Sequence, residues 1–101
     1  MLESVTLTTG SALSAVTATT KTGKLVRAYI IGGDASTVAT VSALAGNNLP
    51  ATTIYAPGST DLQAGVEITM PSVVYFANQH LSLTVTEASS VTVVLILDPW
   101  G

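Results

Sequence analysis

The chain has 101 residues, enough for one domain with one core and too few for a second. It is 48% hydrophobic but only 9% charged, against about 25% in typical domains, and its net charge is −3. Phosphate backbones need clustered Lys and Arg, so this balance excludes DNA or RNA as the main partner. With no cysteine, disulfides, thiolate metal sites and cysteine nucleophiles are also excluded.

In chain order, the apolar residues recur with a period of two, the signature of half-buried strands. Val5 and Leu7 alternate with Thr6 and Thr8, and Gly10-Ser11 ends this first strand. The stretch Gly10–Thr20 leaves two readings open: a helical turn over Ser11–Val16, or strand in the Thr17–Thr20 run. A strand is expected from Lys24 to Ile31, then a tight turn at Gly32-Gly33-Asp34 that makes a hairpin into Ser36–Ser42. Gly46–Pro50 reads as a loop, Thr52–Tyr55 as a short strand and Pro57–Asp61 as a turn. Gly65 opens a strand at Val66–Met70, Pro71 interrupts it, and Val73–Phe76 continues across a bend. Asn78-Gln79-His80 turns into Leu81–Thr86, and Glu87–Ser90 turns into a last strand ending at Leu97.

These eight or nine short strands at regular spacing predict an all-β fold: a single antiparallel β-sandwich or jelly roll of about eight strands. Residues 1–22 form an N-terminal strand and arm, and 98–101 a C-terminal tip.

Two strands are apolar on both faces. Val26, Ala28 and Ile30 are expected opposite Leu25, Tyr29 and Ile31, and Val94 and Ile96 opposite Val93, Leu95 and Leu97. A sandwich covers one face of each sheet and leaves the other to water, so such strands need a second cover, from the same chain or from another subunit. Low charge points the same way, because a Ser- and Thr-rich surface loses little on desolvation. The alternative is a robust or secreted monomer rich in Thr for strand propensity. Trp100 adds a large aromatic to the chain tip, where docking is expected on its own domain or on a neighbour. Val26, Ala28, Ile30, Val94, Ile96 and Trp100 are therefore the candidate partner-interface residues.

Chemistry is sparse. The acids Glu3, Asp34, Asp61, Glu67, Glu87 and Asp98 are scattered singly, and those in turns suit local backbone hydrogen bonds. His80, the one histidine, lies in a polar turn and reads as a solvated surface residue. Zinc would need more His or Cys ligands than the chain has, and no Asp-x-Asp-x-Asp calcium spacing or phosphate-loop Lys is present. No catalytic residue, metal or cofactor is expected, and a small hydrolase is the least favoured reading. Lys21, Lys24 and Arg27 gather near one strand, where basic residues blunt a sheet edge. The N-terminus has no signal-peptide pattern and no apolar run approaches roughly 18 residues, so neither secretion nor a membrane span is expected.

Three segments carry a family resemblance over Gly23–Leu97. Gly23-Lys24-Leu25-Val26-Arg27-Ala28-Tyr29-Ile30 resembles the opening strand of small structural proteins of tailed bacteriophages, with a Gly and a basic residue before an apolar run. Gly65–Pro71 resembles their middle strand, and Leu81–Thr86 followed by Val91–Val94 their closing hairpin. The resemblance implies a β-sandwich virion component: a capsid decoration (cement) protein, a head-fibre base or a head–tail accessory. A trimer bound to the major capsid protein or another virion protein would follow, with assembly in the host cytoplasm. Residues 98–101 lie outside the resemblance. The competing expectation is a carbohydrate- or protein-binding module of a fibre, tail or secreted protein, which needs exposed aromatics beside polar loops.

Overall fold

The computed structural model describes residues 2–33, 37–46, 49–56, 62–68 and 74–99. Among them are nine strands: β1 (Glu3–Thr8), β2 (Ser14–Val16), β3 (Lys21–Gly32), β4 (Ala39–Ala43), β5 (Thr52–Tyr55), β6 (Val66–Glu67), β7 (Tyr75–Gln79), β8 (Leu81–Val85) and β9 (Val91–Asp98). They form two antiparallel sheets. One has the order β1-β9-β3-β6, with β7 also paired to β3; the other has the order β2-β8-β4-β5. The all-β sandwich expected from the period-two pattern is the architecture observed.

The core lies between the sheets, and strand alternation explains its membership. Val91, Val93, Leu95 and Leu97 of β9 point inward, with Val5 and Leu7 of β1 and Leu25, Ala28 and Ile30 of β3. Ala39, Val41 and Ala43 of β4, Leu81, Leu83 and Val85 of β8, and Ile54 of β5 close the layer from the other sheet. Leu62, Ile68 and Phe76 complete it. At roughly 25 cal/mol per Å² of apolar area removed from water, this layer is the main source of stability.

Connectivity departs from the sequence reading. The hairpin expected from Lys24–Ile31 into Ser36–Ser42 does not form, because β3 and β4 belong to different sheets. The turn residues Asp34–Ser36 lie outside the described residues. The expected closing hairpin is not one either: β8 and β9 also lie in different sheets. Among consecutive strands only β4 and β5 pair directly. The chain therefore crosses between layers at most of its turns. A turn signal marks where a strand ends, but not whether the next one lies beside it or across the core.

Two boundaries also shift. Ser14–Val16 is strand, not a helical turn, while Thr17–Thr20 is outside any strand. Asn78 and Gln79 belong to β7, so the chain turns at His80 alone. Thr17 explains the first shift. Its N–H donates to the Leu81 carbonyl at 3.0 Å, and its hydroxyl accepts the Leu81 N–H at 3.1 Å. The side chain has replaced a ladder partner, which ends the strand there. Pro57–Asp61 and most of the Val66–Met70 and Val73–Phe76 boundaries fall on positions outside the described residues.

Candidate functional site

The outward faces of the two sheets differ in chemistry. On the β2-β8-β4-β5 sheet the outward positions are Ser14, Thr84, Ser82, Thr40, Ser42 and Thr53, with Val16 at the edge. That face is mostly hydroxyl, with Ser82 buried in it and Val16 exposed at its edge. On the other sheet, register aligns Ser4–Ile96–Arg27, Thr6–Val94–Tyr29–Glu67 and Thr8–Thr92–Ile31 in successive rows. The centre of this second face is apolar.

β9 delivers Val94 and Ile96 there by simple alternation with the buried Val93, Leu95 and Leu97. Both are half-buried, flanked by β1 and β3. Arg27, Ala28, Tyr29, Val94 and Ile96 line a shallow depression of about 300 Å³. Arg27 Nε donates to Glu67 Oε1, so the rim charges are neutralised within the face. Both partners are exposed, so the pair contributes little to stability; its effect is to remove net charge from an apolar surface. Tyr29 leans over Gly65, which has φ +88°. A Cβ at Gly65 would run into the tyrosine ring, so the glycine shapes the seat of this aromatic.

The expected grouping on β3 is corrected by the structure. Val26, Ala28 and Ile30 were expected on one outward face. Instead Leu25 pairs with Leu97 and Arg27 with the next residue, Ile96, leaving Val26 as the extra residue of a β-bulge. The bulge reverses the phase of everything after it. Ala28 and Ile30 are 1% and 0% exposed and belong to the core, whereas Val26 is 45% exposed. Arg27, Tyr29 and Ile31 take the outward positions instead. Tyr75 of β7, aligned with Lys24, is a further exposed aromatic of this sheet at 62%. Val94 and Ile96 lie on the outward face as the alternation demands. Trp100 lies outside the described residues.

Several of the residues weighed for chemistry have structural partners. Glu3 accepts from Lys21 Nζ at 3.0 Å, and Glu87 accepts from the buried Thr37 hydroxyl at 3.3 Å. His80 is half-buried rather than solvated, and its Nδ1 donates to the Thr17 carbonyl at 2.9 Å. A carbonyl only accepts, so the proton sits on Nδ1 and the ring ties the β7–β8 turn to the segment after β2. Asp34 and Asp61 lie outside the described residues. Among the described residues, no group of three or more His, Cys, Asp or Glu side chains is placed to hold a metal ion.

Tyr29, Ile31 and Tyr75 belong to the exposed side of this sheet but are not among the six interface candidates that the sequence offers. The signal for Tyr29 and Ile31 was present as apolar residues on a doubly apolar strand, but the bulge that assigns their side is not written in residue types. In comparisons with known proteins, no family model, curated protein or solved structure matches the chain.

Proposed function

We propose that this chain is a structural virion protein, a capsid decoration protein that lays the outward face of its five-stranded sheet on the shell of a tailed phage. The observation that carries the reading is the contrast between the two outward faces. One is hydroxyl-rich; the other presents Val26, Tyr29, Ile31, Val94 and Ile96 around a neutralised Arg27–Glu67 pair. An exposed apolar patch rimmed by polar residues marks a site of contact with other protein. Aromatic and aliphatic side chains in a pocket, bordered by a paired arginine, have the composition of an interface centre. The phage identity of the partner rests on the strand resemblance over Gly23–Leu97, and the contact itself rests on the face.

The test is co-sedimentation with empty shells of the phage whose genome carries the gene. Wild-type protein should pellet with the shells, and Ile31→Glu should remain in the supernatant while keeping its fold. Failure of the wild type to pellet sinks the decoration role. Tyr29 and Tyr75 also give the carbohydrate-module reading a concrete form, since both are exposed on this sheet. Tyr55, by contrast, packs against the core. Glycan-array binding abolished by Tyr75→Ala would put that reading first.

A further inference from the structure

We propose that two copies of this chain join along β1, edge to edge and antiparallel, with Thr6 on the two-fold axis. The proposal goes beyond the decoration reading and stands apart from it. It concerns the sheet edge that β1 leaves open among the described residues, where the decoration reading concerns the face.

β1 ends its sheet and, among the described residues, pairs only with β9. The Thr9 N–H donates to the Val91 carbonyl at 2.9 Å, which makes Thr9/Val91 a hydrogen-bonded pair of the ladder. Antiparallel alternation then sends the backbone groups of Leu7, Val5 and Glu3 toward β9, and those of Thr8, Thr6 and Ser4 toward the free edge. A groove of about 320 Å³ runs along that edge, between Ser4–Leu7 and a wall formed by Val16–Thr19 and Lys21. The wall is held in place through the Thr17 bonds to Leu81 and His80.

Natural sheet edges are commonly blunted by short length, proline, inward lysine, a bulge or a covering loop, and the Val16–Thr19 wall stands off β1 across the groove. Each of the other described edges has such a feature or is brief. β2 has three residues, β6 has two, and β5 and β7 pair with β4 and β3 across register shifts. β1 has six residues, unbroken register and no proline or lysine.

The occupant is read from the edge itself. Across a two-fold at Thr6, the outward-directed backbone of Ser4, Thr6 and Thr8 meets that of Thr8, Thr6 and Ser4 in the second copy, so every free group finds a partner in register. On the inner face Val5 meets Leu7, and on the outer face Ser4 meets Thr8. Glu3 meets Thr9, so no like charges confront each other. The exposed Leu2 and Val16 flank the same edge and would be brought to the seam. A strand of unrelated sequence would satisfy the backbone but has no reason to match this pattern. An isologous contact of this kind builds pairs, in place of the trimer that the family resemblance implies.

Sedimentation equilibrium of the full chain decides the matter. The expected result is a dimer, twice the 10.2 kDa chain mass, at low micromolar concentration. Thr6→Pro removes an N–H that faces the edge and none that faces β9, so it should weaken the dimer about tenfold or more while the monomer stays folded. Thr6→Cys guards against misfolding of the proline variant. The chain has no other cysteine, and facing residues of a hydrogen-bonded pair lie about 5.5 Å apart, within disulfide reach. Mild oxidation should therefore give a covalent dimer, and the same treatment of Thr53→Cys, on the opposite sheet, should not. A wild-type monomer or trimer at that concentration, or a dimer indifferent to Thr6→Pro and uncrosslinked by Thr6→Cys, overturns the proposal.

Discussion

Gly23 shows how little space individual residues have in this fold. It sits in β3 with φ +142°, where β3 is flanked by β7 and by the end of β9. A Cβ there would lie 2.5 Å from the Asp98 carbonyl oxygen and 2.7 Å from the Pro99 Cα. Both are backbone atoms that cannot swing aside. Gly23→Ala should therefore destabilise the domain by about 2–4 kcal/mol, read as a lower denaturation midpoint with unchanged m-value. Thr17 makes a different point. Thr17→Val keeps shape but removes the acceptor of the buried Leu81 N–H, at a cost of about 1–3 kcal/mol by chemical denaturation. A change near zero would mean that the Thr17 hydroxyl bond is dispensable. Neither residue would stand out in the sequence, where Gly23 reads as a strand opener and Thr17 as one threonine among many.

At the scale of elements, the β3 bulge decides the face. Because Leu25 and Arg27 pair with the consecutive residues Leu97 and Ile96, deleting Val26 leaves both sides of the bulge in phase. The deletion should be tolerated at a cost below about 2 kcal/mol, since the alternation of inward and outward residues survives. Deleting Tyr29 instead moves one flank of regular strand onto the wrong face and should abolish cooperative unfolding. Thermal melts of the two deletions separate these outcomes; equal damage from both would remove the bulge from the explanation. The same phase logic accounts for what was legible at this scale. β1, β8 and β9 followed plain alternation and were readable, whereas the orientation of residues after Val26 was not.

At the scale of the whole molecule, core and docking face are separable. The outward residues Val26 and Ile31 are exposed and make no part of the core. The double variant Val26→Glu, Ile31→Glu should shift stability by no more than about 1 kcal/mol, yet should abolish shell co-sedimentation. If the protein unfolds, the face is structural rather than a docking surface. Connectivity gives a kinetic expectation as well. Most strand pairs join segments distant in sequence, β1 with β9 most of all, so loop-closure entropy must be met before pairing stabilises the chain. Refolding by stopped-flow should take milliseconds to seconds; completion within microseconds would contradict the observed topology.

Composition and periodicity by themselves determined the class: an all-β sandwich of eight or nine short strands, and a low-charge surface. Alternation is local, and burial of one side of a pleated strand needs no knowledge of its neighbours. The tertiary structure alone decided three further things. It set which strands lie side by side, because a turn directs the chain equally well along a sheet or across the core. It placed Val26 in a bulge, which sends Ala28 and Ile30 inward and Tyr29 and Ile31 outward. It also left the six residues of β1 at the end of a sheet with three backbone positions turned outward. Each of these depends on pairing between segments far apart in sequence, which residue types restrict only weakly until the partner strand is in place.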